Sequence, residues 1–473
     1  MIKFGTSGWR GIIADDFTFD NVRLVTQAIA EYLKQINEAS KGVIVGYDTR
    51  FLSEKFAELS CEVLAGNGIK SLLCKRDTPT PVIALEIIRR KSAGGINFTA
   101  SHNPFNYNGL KFSPSWGGPA LPETTEAIEK FCSEIKHSSI KRIDFSKAKE
   151  SGIIEYIDPS AAYFRKMKEL VDFGAIKKGA PRIALDLLNG TGRGFLDKLF
   201  EDAGRKCQVT RDFRDVLFHP GGAPEPNKDN LAGLYGVMKK NSCKLGLSTD
   251  GDADRFGVID SDGTFFSPNE IISVLLYHLI KTRSWSGVVA RSVMTTHLID
   301  RIADKFGLEI KETPVGFKYI GKIMIEEKER FVIGGEESGG LTIRGHVPEK
   351  DGILACLLVA EAVAISKKSV KELLLEIFKL VGKAHSKRVN FRLLPNEAEN
   401  LNKKLSKEFP KELGGLKIKK VVTLDGHKFV FEDGSWLGLR LSGTEPVARL
   451  YIESGTVSKL KTLEQIGEKF IKS

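Results

Sequence analysis

At 473 residues the chain is too long for one compact core and should divide into several domains. Its 41% hydrophobic and 28% charged residues are those of an ordinary soluble globular protein. The formal net charge of +11 admits either nucleic acid or a small phosphorylated substrate as partner. The lysines and arginines are spread along the chain with no RNP, zinc-finger or arginine-rich signature, so nucleic acid is not expected.

The opening "MIKFGTSGWRG" lacks a basic stretch followed by an apolar one, so no secretory signal is expected. Cys61, Cys74, Cys132, Cys207, Cys243 and Cys356 lie far apart and form no C-x-x-C pair. A disulfide framework is therefore not expected; each reads as a small buried hydrophobe, and a reducing cytoplasm is the simplest location.

Chain order next reveals a unit used three times. It begins with an apolar strand: "GVIVGYD" (42–48), "PRIALDL" (181–187) and "SGVVARS" (286–292). An amphipathic helix follows, with apolar residues at helical spacing and a closing glycine: Phe56, Leu59 and Val63 before Gly66; Phe195, Leu199 and Phe200 before Gly204; Leu298, Ile299, Ile302 and Phe306 before Gly307. A second strand, a second helix and a third strand complete each unit, the third strands being "GGINF", "KLGLS" and "RFVIG". This alternation predicts an α/β fold of three similar βαβ-type domains with mixed, mostly parallel sheets. The run "ILACLLVAEAVAI" (353–365) is too short to span a bilayer, carries Glu361, and predicts a buried helix; no membrane partner is expected. Beyond residue 382 or so, alternating strands with turns at Asp425-Gly426 and Asp433-Gly434 predict a small C-terminal α+β domain. The expected domains are 1–150, 151–256, 257–376 and 377–473, arranged around a central cleft.

The chemistry concentrates where the third strands end, the place open α/β sheets bind ligands. There stand "TASHNP" (99–104), "TDGDADR" (249–255) and "GEESGG" (335–340). Asp250, Asp252 and Asp254 alternate, which puts three carboxylates on one side of an extended segment to meet one hard cation. An EF-hand is excluded by Arg255 at the sixth position and Ser261 at the twelfth. Ser101, beside His102 and Asn103, is a turn residue on local grounds; opposite a cation, its hydroxyl or a phosphate on it completes the metal shell. Glu336 and Ser338 lie between glycines and suit sugar hydroxyls, although a plain glycine-rich turn has the same local pattern. In "RLSGTEP" (440–446), Arg440, Ser442, Gly443 and Thr444 make an anion nest, unless Arg440 pairs with a neighbouring acid. "GFKYIGK" (316–322) has P-loop spacing, but Ile323 stands where the metal-binding hydroxyl belongs, so nucleotide binding is rejected.

With these loops in this order, the sequence resembles the α-D-phosphohexomutases, from "GTSGWRG" (5–11) to "RLSGTEP". The resemblance implies four domains around one cleft and an intramolecular phosphotransferase interconverting hexose 1-phosphate and hexose 6-phosphate. It makes Ser101 the phosphoryl carrier flanked by His102, and gives Asp250, Asp252 and Asp254 one Mg²⁺ together with that phosphate. Glu336 and Ser338 would hold the sugar, while Arg440, Ser442, Gly443 and Thr444 would clamp the phosphate not being transferred. Arg10, Lys111, Arg255, Lys318 and Lys350 match further basic site residues, with Lys111 or His102 as acid or base. A hexose 1,6-bisphosphate is the implied intermediate, and glucose 1,6-bisphosphate the activator. "GEESGG" with "PEKDG" leans toward glucose, since many phosphomannomutase/phosphoglucomutase members carry histidine where Gly340 stands. Mannose or dual specificity is the alternative and glucosamine a lesser one, in a monomer or homodimer. A Mg²⁺-dependent phosphatase or a sugar-phosphate sensor are the readings from other classes.

Overall fold

The computed structural model describes residues 2–405, 409–441 and 447–472. Its first three sheets are built to one plan. In the first, Val43–Tyr47 lies parallel to both Ser71–Cys74 and Gly94–Phe98. In the second, Ile183–Asp186 is flanked in parallel by Gln208–Thr210 and Leu245–Thr249. In the third, Val288–Ser292 is flanked by Glu309–Thr313 and Phe331–Gly335. These central strands are Val-, Ile- and Leu-rich and mostly buried on both faces, as helix-covered parallel sheets require.

An antiparallel strand then returns along each third strand: Tyr107–Pro114, Phe256–Asp260 and Leu341–Ile343. The three polar loops are therefore hairpin connections at equivalent positions. The sheets also extend past two expected boundaries. Ile154–Ile157 pairs with Ser71–Cys74, so the first sheet runs beyond residue 150. Phe256–Asp260 and Phe265–Phe266 close the second sheet, which runs beyond residue 256. Ile154–Ile157 meets a partner far back in the chain and so has no local signature, whereas the second extension is a pair of local hairpins.

Helix ends follow their residues. Ser267 and Ser369 form capping boxes with Glu270 and Glu372, and Gly307 closes its helix in the left-handed conformation. The apolar run forms the helix Gly352–Ser366, buried nearly all round in a core shared by the second and third sheets. Its Glu361 carboxylate accepts from His278 Nε2 at 2.8 Å, Arg283 Nη2 at 3.0 Å and the Asp172 amide at 2.7 Å. The first sheet has its own core, as does the C-terminal sheet, whose strands pair antiparallel and pack against the helix Val457–Lys472.

All six cysteines are free; Cys132 and Cys207 are half-buried rather than buried. Among the described residues no helix is long and apolar enough to cross a membrane.

Candidate active site

Two of the three hairpin loops touch directly. Ser101, 1% exposed, donates from Oγ to Asp250 Oδ2 at 2.8 Å, and His102 Nδ1 lies 3.3 Å from the same Oγ. Both loops carry a non-glycine residue in the left-handed region, Ser101 at φ 53° and Ala253 at φ 56°, the kind of strain that clusters at functional sites. The approach needs Gly251, whose added Cβ would lie 2.6 Å from the Ser101 carbonyl oxygen.

The three aspartates are buried and their ligand oxygens lie within 4.8 Å of one another. Asp250 Oδ1 accepts the amides of Asp254 at 2.9 Å and Arg255 at 3.0 Å, which shapes the turn. Lys111 Nζ bridges Asp252 Oδ2 at 2.6 Å and Asp254 Oδ2 at 2.9 Å, and Lys350 Nζ reaches Asp254 Oδ2 at 2.8 Å. Each of these carboxylates keeps its other oxygen, Asp252 Oδ1 and Asp254 Oδ1, buried without a hydrogen-bond partner. Buried acceptors are normally satisfied, so two orphaned carboxylate oxygens beside a third acid fit a hard divalent cation.

The electrostatics agree. Burial, then the charges of Asp254 and Asp252, push the Asp250 carboxyl well above the ordinary range, a like-charge conflict that a cation relieves. Burial also opposes ionisation of Asp254, but Lys111 and Lys350 outweigh it and hold that carboxyl far below its usual range. Burial, with Arg255 and Arg10 nearby, keeps His102 well below the usual imidazole value, and therefore neutral at pH 7. Burial and Arg255 bring the Arg10 guanidinium down to about 10; its Nη1 donates to Asn103 Oδ1 at 2.6 Å, beside the serine.

The third loop joins through its acid. Glu336 is buried, with Oε1 accepting the Gly316 amide at 2.7 Å. Burial, then Glu337, raises its carboxyl to about 7. Ser338 is half-buried in the same turn. A Cβ at Gly340 would meet Lys350 Cδ at 2.1 Å, so the lysine stem occupies the space a side chain there would take. Arg440 does pair with a neighbouring acid: its Nε donates to Asp425 Oδ1 at 2.9 Å. Asp425 Oδ2 accepts the Val315 amide at 3.0 Å, which ties the C-terminal domain to the segment that binds Glu336. Ser442, Gly443 and Thr444 lie outside the described residues. Lys318 is not drawn into this network; its Nζ lies 5.6 Å from the Tyr319 ring, and burial lowers its pKa.

Several residues of the site had no motif to mark them. Thr80 Oγ1 donates to Asp252 Oδ2 at 2.6 Å and accepts from Asn97 Nδ2 at 2.9 Å, so the first domain fixes a carboxylate of the second. Asp48 and Arg50 are fully buried behind the serine loop. A charged pair directly after an apolar strand was the available signal.

Comparison with known proteins accords with this geometry. Phosphoglucomutase/phosphomannomutase family models match in chain order: alpha/beta/alpha domain I over residues 1–139, domain II over 161–263, domain III over 267–381, and the C-terminal domain over 395–466. A phosphoglucomutase/phosphomannomutase of Thermococcus kodakarensis is 31% identical over 99% of this chain and 98% of its own length. Phosphoglucomutase 1 of Drosophila melanogaster is 30% identical over 96% of this chain and 90% of its own. A crystal structure from Thermus thermophilus, provisionally described as a phosphomannomutase, superposes with a TM-score of 0.86 at 32% identity, covering 100% of this chain and 99% of that one.

Proposed function

Because the chain belongs to the phosphoglucomutase/phosphomannomutase family, we propose that it interconverts hexose 1-phosphate and hexose 6-phosphate through a phosphoserine at Ser101, with glucose phosphates as the preferred substrates. The observation that carries this reading is the Ser101 hydroxyl seated on Asp250, next to two orphaned carboxylate oxygens. Asp250, Asp252 and Asp254 would hold one Mg²⁺, which when bound supplies Lewis-acid neutralisation of phosphoryl oxygens.

The chain's own residues account for the rest. Phosphorylated Ser101 gives its phosphoryl group to the free hydroxyl of the bound sugar phosphate; the Oγ–P bond breaks and a sugar O–P bond forms. The resulting 1,6-bisphosphate turns end for end and returns its other phosphoryl group to Ser101. Lys111, Lys350, Arg10 and Arg255 place positive charge around the transferring oxygens, the main source of catalysis in phosphoryl transfer. One proton crosses in each transfer, from the attacking hydroxyl to the departing oxygen. It passes from the sugar hydroxyl to Oγ in the first step and from Oγ to the sugar oxygen in the second. His102 Nδ1, 3.3 Å from Oγ, or the Lys111 ammonium relays it. Glu336 and Ser338 read the sugar hydroxyls, and Arg440 with its loop holds the phosphate at rest. The glucose preference rests on the resemblance, in which many phosphomannomutase/phosphoglucomutase members carry histidine where Gly340 stands; the Lys350 stem fills the space a side chain there would take.

A coupled assay with glucose 1-phosphate, mannose 1-phosphate and glucosamine 1-phosphate, each primed with its 1,6-bisphosphate, tests this. Conversion of glucose 1-phosphate should be fastest and should stop on chelation of Mg²⁺. Release of inorganic phosphate instead would favour a phosphatase with an aspartate nucleophile. Thr80→Val should weaken Mg²⁺ binding by about tenfold, read by calorimetry, because it removes one of the two side-chain hydrogen bonds that orient the Asp252 carboxylate; unchanged affinity would remove Thr80 from the site.

A further inference from the structure

Ser101 is held from both sides by groups that the reaction itself does not use. Its amide donates to Thr99 Oγ1 at 2.8 Å, and its carbonyl accepts from Arg50 Nη2 at 2.7 Å. Arg50 spends all five of its N–H donors on this corner. Nε donates to Asp48 Oδ2 at 3.2 Å, Nη1 to the carbonyls of Pro104 at 2.7 Å and Tyr107 at 3.1 Å, and Nη2 also to that of Asn103 at 2.6 Å. One planar cation thus ties four carbonyls of residues 101–107 into a fixed shape. Asp48 is the anchor: its Oδ1 accepts the Arg50 amide and the Ser53 hydroxyl, each at 2.9 Å.

The Thr99 Oγ1 lone pair takes the Ser101 amide, so this hydroxyl holds the serine backbone on the side opposite Arg50. Thr99, Asp48 and Arg50 are all 0% exposed, so bulk solvent does not reach them. Burying an ion pair is weak evidence for stability, because desolvation offsets the attraction. Here the pair instead enforces a backbone that serine disfavours, φ 53°, in which Oγ points at Asp250. A return to the right-handed or extended region would swing Oγ off that line.

We infer that Asp48, Arg50 and Thr99 form a positioning relay that locks Ser101 in its left-handed conformation and so sets the rate, not the affinity, of phosphoryl loading. The inference rests on the proposed role of Ser101 as phosphoryl carrier. In loading, a sugar O–P bond of the bisphosphate breaks, an Oγ–P bond forms, and the Oγ proton ends on the released sugar hydroxyl.

The test uses the full chain with Mg²⁺, starting dephosphorylated. Loading by glucose 1,6-bisphosphate is followed by rapid quench and intact mass, alongside amide exchange across residues 101–103. Thr99→Val should load roughly ten- to a hundred-fold more slowly, at a half-saturating bisphosphate concentration within about two-fold of the parent's. Its Ser101 amide should lose protection. Thr99→Ser, which keeps the hydroxyl, should restore most of the rate. Arg50→Lys, with three donors for five acceptors, should slow loading as Thr99→Val does, and it serves if the valine variant does not fold. Loading of Thr99→Val at the parent rate, or of Thr99→Ser as slowly as Thr99→Val, would overturn the relay. If the parent itself does not load, the phosphoserine role fails, and the exchange result then decides the relay alone: unaltered protection in Thr99→Val overturns it.

Discussion

Asp254→Asn is expected to destabilise the protein by about 3 kcal/mol and to cut mutase turnover on the order of 10³-fold. The carboxylate stands between two buried ammonium groups, Lys111 at 2.9 Å and Lys350 at 2.8 Å. Desolvating such ions costs several kcal/mol each, and the opposite charge is what offsets it. A neutral amide leaves Lys111 with Asp252 alone and Lys350 with Glu349 at 3.0 Å, which places the loss at the lower end of values for broken buried pairs. Because the Asp254 carboxyl is held far below the ordinary range, its contribution is present above about pH 4 and is lost only in strong acid. Turnover falls further than stability, since the same change takes a negative charge from the cluster of acids that would hold Mg²⁺. Denaturant midpoints at pH 7 and the coupled assay check both halves; a midpoint equal to the parent's would mean the lysines are satisfied without Asp254.

Glu336→Gln should act with the opposite sign on stability. Burial and Glu337 raise this carboxyl to about 7 from 4.5. Between those values the folded protein binds more protons than the unfolded chain, so stability falls as pH rises through the window. The contribution is fully present below about 4.5 and is lost above about 7, a difference of about 3 kcal/mol. Glutamine retains an oxygen for the Gly316 amide and carries no charge to desolvate. The variant should therefore be about 3 kcal/mol more stable than the parent at pH 8 and nearly equal to it at pH 4.5. Its kcat/KM should fall ten- to a hundred-fold, because a group built to bind sugar hydroxyls has lost its charge. Equal or lower stability at pH 8 would show that the ionised carboxylate is not strained. Two buried acids of one cleft thus separate cleanly: Asp254 is ionised by its partners, whereas Glu336 is ionised against its surroundings.

The legible parts of this protein were local ones. Apolar strands followed by helices announced the threefold repeat, and Gly204 and Gly307 take the expected left-handed conformation. Gly66 does not, because the helix runs through it and Gly68 turns left-handed instead. Alternation of Asp250, Asp252 and Asp254 announced a metal-like cluster because it too is local. What stayed hidden depends on pairs distant in sequence. Thr80 and Asp252 are 172 positions apart, and neither neighbourhood hints at the other. The return of Ile154–Ile157 to the first sheet, and the Asp48–Arg50 pair behind the serine loop, are also tertiary facts. Lys111 and Lys350 were reached through resemblance to a family; no spacing in the chain would have set them on Asp254.

The most direct measurement is intact mass with phosphopeptide mapping, before and after exposure to glucose 1,6-bisphosphate and Mg²⁺. The expected result is a single phosphoryl group on Ser101, discharged by glucose 1-phosphate and absent from Ser101→Ala together with mutase activity. A parent protein that turns over glucose 1-phosphate while Ser101 stays unmodified, or that carries the phosphoryl group on an aspartate, would contradict a phosphoserine mutase.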